Sequence, residues 1–248
     1  MNRERLRRIR NCQSDDWYPA LVVRPLTILV MLVIADWRFL TPNVLTTIAN
    51  VAKIAAVALL LPDERTLTLW AVVILQLGVL FDHLDGTMAR YRGASSTFGS
   101  FYDKVSDAVL WFPTVVAIGW IGYQRTGDAV PVVLAASSAY ALLMTGYMKW
   151  LNEAETRKAT GPSPAAPAPA APPERSGRDW ALWFGKSMLQ VYRFEEMDLY
   201  FWVGLLLVLD ELEILLWGMA VTQTLRLVVM LGRRAAEART LDRKRRQA

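Results

Sequence analysis

Four aspartates lie near the ends of two long apolar segments of the sequence. They are Asp82, Asp85, Asp103 and Asp107. One Asp at the centre of a membrane helix costs about 2.5 to 3.5 kcal/mol on insertion scales, so four of them at the edge of apolar segments require compensation. A cation would provide it, and a pocket of carboxylate oxygens suits Mg²⁺ or Mn²⁺ rather than Zn²⁺ or copper. Cys12 is the only cysteine, which excludes an internal disulfide and a cysteine-based metal site.

The spacing around the first two acids predicts a helix face that combines carboxylates with small residues. In a helix, Asp82, Asp85, Gly86 and Ala89 fall at positions i, i+3, i+4 and i+7, which share one side. The two small residues would let a nucleotide lie against the helix. Arg90, one turn after Gly86, could reach a phosphate.

The next apolar segment repeats this arrangement. Asp103 and Asp107 are four residues apart, and Gly99 lies one turn before Asp103. Two metal ions held by shared carboxylates can neutralise a diphosphate during an in-line displacement. An Asp that is not fully used as a ligand can remove a proton from an acceptor hydroxyl. The acids therefore indicate phosphoryl-transfer chemistry.

The composition predicts an integral membrane protein. The chain has 248 residues, of which 54% are hydrophobic, together with 28 Lys and Arg and 23 Asp and Glu. This combination is typical of apolar helices separated by charged loops. The loops at 62–66 and 124–130 hold one basic residue each, and most other basic residues fall on the opposite side. By the positive-inside rule we expect the acids to face the cytoplasm, in a bacterial cytoplasmic membrane.

The predicted fold is all-α, with six transmembrane helices and an N-terminal interfacial helix. A short tilted span is the alternative for the N-terminal helix. The predicted regions are a basic tail and interfacial helix at 1–42, a four-helix membrane core at 43–151, a Pro/Ala-rich cytoplasmic loop and interfacial segment at 152–195, the last two spans at 196–232 and a basic tail at 233–248.

The acidic stretch resembles the signature of a known family of membrane enzymes. Its residues follow the spacing D-x2-D-G-x2-A-R-x8-G-x3-D-x3-D from Asp82 to Asp107, with every fixed position present. This pattern is similar to that of the CDP-alcohol phosphotransferase family. The start of the first span, from Thr41 through Pro42 and Asn43, and the six-helix layout are similar too. The loop at 152–195 matches nothing in the family pattern.

The resemblance implies transfer of a phosphate-containing group from a CDP-linked donor to an alcohol, with release of CMP. It implies two divalent ions, Mg²⁺ or Mn²⁺, held by Asp82, Asp85 and Asp103. Asp107 would be both a ligand and the general base. The residues implied for the nucleotide site are Gly86, Ala89, Arg90, Asn43, Thr46 and Ser96.

The resemblance leaves the substrates open. Bacterial-type members that resemble this chain use CDP-diacylglycerol and a small polar alcohol such as inositol phosphate, glycerol phosphate or serine. Others transfer phosphocholine or phosphoethanolamine from its CDP ester to diacylglycerol. Lys53 and Arg226 are cations within predicted spans, and we hypothesise that they bind a phosphate of the acceptor.

The expected partners are therefore a membrane lipid and a small alcohol, without nucleic acid, and the family often forms homodimers. A Mg²⁺ transporter or a non-catalytic metal-binding scaffold is the alternative from a different class. Transport predicts ionisable residues along a pathway near the middle of the membrane. Here the acids gather at one side beside small residues, which favours an enzyme.

Overall fold

The computed structural model describes residue 9 and residues 18–160, 176–189 and 196–247. Within these residues the secondary structure is helical and no strand is found. Most of the predicted basic N-terminal tail and of the predicted Pro/Ala-rich loop lies outside the described residues.

Eight α-helices occur in the described part of the chain, and a π-helical turn at Pro19–Val23 leads into the first. They are α1 (Arg24–Ile34), α2 (Pro42–Leu60), α3 (Arg65–Arg92), α4 (Thr97–Thr126), α5 (Val130–Thr160), α6 (Gly177–Leu189), α7 (Glu196–Val208) and α8 (Leu212–Gln247).

Local sequence signals explain how the helices near the acids begin and end. The Thr41 side chain accepts a hydrogen bond from the backbone N–H of Val44 at 3.3 Å, and Pro42 occupies the first turn of α2. The predicted helix start at this position is confirmed. α3 ends at Gly93, whose φ of 62° is the left-handed conformation that glycine tolerates best. α4 begins where Ser96 caps its first turn.

Among the described residues, five helices are long and apolar enough to cross a membrane, namely α2, α3, α4, α5 and α8. An all-α polytopic membrane protein is thus confirmed. The described part of α7, within the fifth predicted span, has 13 residues, whereas a helix that crosses about 30 Å of hydrocarbon needs about 20. The total of six spans and the interfacial position of the N-terminal helix stay predictions.

Packing brings the start of α2 and of α4 to the end of α3. α2 lies along α3 and also contacts α4, while α3 contacts α1 and α7, and α5 packs between α4 and α8. One large apolar core joins α2, α3, α4, α5, α7 and α8. Large apolar side chains such as Trp70, Val109 and Leu143 point outward, as expected of surfaces that contact lipid.

Arg125 ties three elements together at the other end of the bundle. Its guanidinium forms two hydrogen bonds to the Asp63 carboxylate, at 2.8 and 2.7 Å, and one to Asp210 at 2.8 Å. Asp63 and Asp210 lie in the α2–α3 and α7–α8 connections and both have positive φ. Arg65 adds hydrogen bonds to the Leu207 and Val208 carbonyls at the end of α7.

Candidate functional site

Three of the predicted metal ligands meet where α3 ends and α4 begins. One carboxylate oxygen from each of Asp82, Asp85 and Asp103 lies within 4.8 Å of the other two. Asp82 and Asp85 are buried on α3, at 7% and 6% exposure, and Asp103 is half-buried on α4. The short connection after Gly93 turns the chain back, so that the acids of both helices face each other. Three oxygen donors at this separation fit a hard divalent cation such as Mg²⁺ or Mn²⁺.

The fourth predicted ligand has a different neighbour. An Asp107 carboxylate oxygen lies 2.6 Å from the Lys53 Nζ, and the same ammonium lies 3.1 Å from an oxygen of Asp82. Lys53 is fully buried on α2, and the Asp107 side chain is 19% exposed. Asp107 does not belong to the three-acid group. The four acids therefore form a three-acid group and a pair bridged by a lysine, with Asp82 in both.

A polar face of α2 forms the wall behind the acids. Thr46, Asn50 and Lys53 are buried and follow one another at helical spacing. The Thr46 hydroxyl donates a hydrogen bond of 2.5 Å to Asp85. Thr46 is predicted from the sequence to contact the nucleotide, but the structure places it against a metal-ligand candidate. It can orient that carboxylate, as hydrogen-bond partners of metal ligands commonly do.

The other residues predicted for the nucleotide form two groups. On α3, a Cβ at Gly86 would lie 3.3 Å from an Arg90 guanidinium nitrogen, so the Arg90 side chain lies across this glycine. Ala89 is half-buried on the same helix. The Arg90 guanidinium thus occupies the space that a side chain at position 86 would need, and contact of these residues with a nucleotide stays a prediction.

The second group joins the starts of α2 and α4. A Cβ at Gly99 would lie 3.0 Å from the Ser96 hydroxyl oxygen and 3.1 Å from the Asn43 side-chain oxygen. The Ser96 hydroxyl accepts a hydrogen bond of 2.9 Å from the Gly99 N–H. Asn43 and Ser96, far apart in sequence, are thus brought together. Their role toward a nucleotide stays a prediction.

The two cations predicted to bind an acceptor phosphate lie on different helices, Lys53 on α2 and Arg226 on α8. The contacts of Lys53 go to Asp82, Asp107 and the ring of Tyr200, whose centroid is 5.5 Å from Nζ. Arg226 is half-buried on α8. Lys53 is fully buried against two carboxylates, and binding of an acceptor phosphate by Lys53 and Arg226 stays a hypothesis.

Sequence reasoning did not identify the contacts of Arg92. Its guanidinium donates hydrogen bonds to the carbonyls of Ala35, Trp37 and Leu40, at 3.0, 2.7 and 2.8 Å. These carbonyls lie in the connection between α1 and α2. Arg92 thereby fixes the segment that leads into Asn43. The sequence feature that could have indicated these contacts is the position of Arg92, two residues after Arg90 in the last turn of α3.

Comparisons with known proteins give the same family as the acid spacing. A model of the CDP-alcohol phosphatidyltransferase family matches residues 39–170. The chain is 33% identical over 118 residues to a phosphatidylinositol phosphate synthase of Corynebacterium glutamicum, which is 46% of this chain and 52% of that protein. It is 28% identical over 121 residues to the phosphatidylinositol phosphate synthase of Mycobacteroides abscessus, which is 49% of this chain and 54% of that protein.

The matched region thus spans about half the length of these curated relatives. The family model covers more than half of the chain, and its residues 39–170 include the helices that carry all four acids. The chain therefore belongs to the CDP-alcohol phosphatidyltransferase family.

Proposed function

We propose that this protein transfers a phosphatidyl group from CDP-diacylglycerol to a polar alcohol and releases CMP. The observation that carries the proposal is the three-acid group of Asp82, Asp85 and Asp103, with donor oxygens within 4.8 Å of one another. Family membership supports a CDP-linked donor.

In this reaction the acceptor oxygen attacks the phosphorus that carries the diacylglycerol. The bond from this phosphorus to the bridging oxygen of the diphosphate breaks, and CMP leaves with that oxygen. Asp107 removes the proton of the acceptor hydroxyl, and Arg90 binds a phosphate of the donor. A divalent ion, when bound, would neutralise charge that develops on the diphosphate. We propose Mg²⁺ or Mn²⁺, with Asp82, Asp85 and Asp103 as its ligands.

The two ions implied by the resemblance would require Asp107 as a ligand, although its carboxylate already contacts Lys53. Asp107 therefore has two proposed roles, as general base and as metal ligand. Its contact with Lys53 affects both roles.

Inositol phosphate is the first acceptor that we propose. The relatives named phosphatidylinositol phosphate synthase support this choice.

We further propose that the site faces the cytoplasm of a bacterial cytoplasmic membrane, because the loops of the opposite end contain few basic residues. A homodimer formed through the membrane helices is also proposed, and the mass of the purified protein in detergent would test it.

The reaction is tested with purified protein, Mg²⁺ or Mn²⁺, and radiolabelled CDP-diacylglycerol. Inositol phosphate, glycerol phosphate and serine are offered in turn as acceptors. A second set of assays offers CDP-choline or CDP-ethanolamine with diacylglycerol. We expect CMP release and a labelled lipid product only in the first set. Labelled product in the second set alone would assign the opposite arrangement of donor and acceptor.

The control is Asp107→Asn, which keeps the shape of the side chain but cannot act as the base. We expect CMP release to collapse while binding of CDP-diacylglycerol persists. If neither the wild type nor Asp107→Asn releases CMP with any pair of substrates, the proposed activity is wrong. A scaffold or a transporter is then the better interpretation.

A further inference from the structure

A buried ammonium joins two acids of the family signature that lie on different helices. The Lys53 Nζ is 3.1 Å from an oxygen of Asp82 on α3 and 2.6 Å from an oxygen of Asp107 on α4. The Lys53 side chain is fully buried. An ammonium is a compact point charge, so at these distances it attracts both carboxylates and balances one of their two negative charges.

The surroundings of Lys53 hold the ammonium in this position. A Cβ at Gly78 would lie 3.3 Å from the Lys53 Cγ, which indicates that α2 and α3 approach each other closely there. The ring of Tyr200 lies on another side of the ammonium and stacks on Trp111, with centroids 4.1 Å apart. If both carboxylates turned to a metal ion, Lys53 would remain as a buried charge without a counterion, which is strongly unfavourable.

The position of the ammonium is the one that a second ion would need. An ion shared through the two oxygens that Lys53 contacts would take the place of the ammonium. One oxygen each of Asp82, Asp85 and Asp103 lies close enough to the others for one ion, and Asp82 belongs to both groups. The chain thus provides three acids for one divalent ion and gives Asp82 and Asp107 a shared ammonium partner from within the protein.

We propose that Lys53 takes the place of a second divalent ion, so that this centre binds one Mg²⁺ or Mn²⁺ instead of the two that the resemblance implies. The inference rests on the proposed function, in which the same acids hold the metal. Lys53 is then a positioning residue, which holds the Asp107 base beside Asp82 without touching the substrate.

The number of bound ions tests the proposal without any measurement of turnover. Purified wild-type protein is equilibrated with Mn²⁺, and the bound ions are counted by equilibrium dialysis and examined by electron paramagnetic resonance. We expect one Mn²⁺ per chain with the spectrum of an isolated ion. Lys53→Met frees the position between Asp82 and Asp107, so we expect two ions, whose spectrum is exchange-coupled because ions in such sites lie about 3.5 to 4 Å apart.

Lys158→Met is the matched control, since it removes an exposed lysine whose ammonium forms an ion pair with Glu155. It should bind one ion. Lys53→Gln is a second variant in case Lys53→Met does not fold, and it should also gain an ion. Two coupled ions in the wild type, or one ion in a folded Lys53 variant, would overturn this inference and leave the proposed transfer intact. Absence of Mn²⁺ from the wild type would overturn the metal of the proposed function as well.

Discussion

The side chains around each aspartate decide what that aspartate can do. Asp85 accepts a hydrogen bond from Thr46, whereas Asp107 accepts one from Lys53. A neutral hydroxyl orients a carboxylate and leaves its charge available to a metal ion. An ammonium balances part of the charge instead, and Lys53 contacts Asp82 as well as Asp107. The acids of the signature are therefore not equivalent, and we expect a substitution of Thr46 to disturb Asp85 as a metal ligand.

Thr46→Val should weaken metal binding. The substitution keeps the shape of the side chain and removes the hydrogen bond to the buried Asp85 carboxylate. Loss of such a partner commonly lowers metal affinity by about 10- to 100-fold. Titration of CMP release with Mg²⁺ would measure the apparent affinity.

Thr47→Val is the matched control, because the Thr47 hydroxyl is exposed and donates to the Asn43 carbonyl at 2.8 Å. It should leave the Mg²⁺ titration unchanged. Equal Mg²⁺ titrations for the two variants would contradict the orienting role of Thr46.

Among the helices, the close approach of α5 to α4 helps to position the residues of the site. α4 carries Asp103 and Asp107 and packs along α5 through glycines. A Cβ at Gly119 would lie 2.5 Å from the Ala135 Cβ and 3.2 Å from the Pro131 carbonyl oxygen. Small residues at such contacts let membrane helices pack closely. The approach of α5 to α4 therefore depends on residues well away from the acids.

Gly119→Ala should destabilise the protein by roughly 1 kcal/mol. Overpacking typically costs about 1 to 3 kcal/mol, and the better helix propensity of alanine offsets about 1 kcal/mol of it. Thermal unfolding in detergent would measure the change as a lower Tm. Gly146→Ala on α5 is the control, because nothing lies within 4 Å of a Cβ there. Its Tm should stay the same or rise, and a Gly119→Ala protein as stable as this control would refute the close contact.

Arg92 links the end of α3 to the connection before α2. Arg92→Gln should remove its hydrogen bonds to the Trp37 and Leu40 carbonyls and loosen the segment that leads into Asn43. Displacement of a binding residue by about 1 Å can lower the rate by about 100-fold, so we expect kcat/KM for the CDP donor to fall by about 10- to 100-fold.

Arg38→Gln is the control for this effect. Arg38 is exposed in the same connection, so its loss changes the local charge without removing those hydrogen bonds. Its kcat/KM should stay near that of the wild type. An unchanged kcat/KM in Arg92→Gln would show that the connection holds its position without the guanidinium.

For the molecule as a whole, local features could be predicted from the sequence and contacts between distant helices could not. The Thr41 cap and the facing of Asp82 and Asp85 depend on residues within two turns of one another. The Lys53 contact to Asp107 spans 54 positions and depends on how α2 packs against α4. Hydrophobic periodicity does not encode that packing, so the sequence did not predict that Lys53 contacts the acids, and its role toward the acceptor stays a prediction.

The two ends of the whole molecule should lie on opposite sides of the membrane. α3 and α4 are both long enough to span it, so the acids and the connection after α4 are separated by the bilayer. Because basic residues are scarce near that connection, it should face outward. In a Cys12→Ser background, Ala129→Cys should react with a membrane-impermeant maleimide in intact cells. Ala94→Cys, in the connection before α4 and also exposed, should react only after lysis. The reverse pattern would place the acids outside the cell and exclude a cytoplasmic supply of the CDP donor.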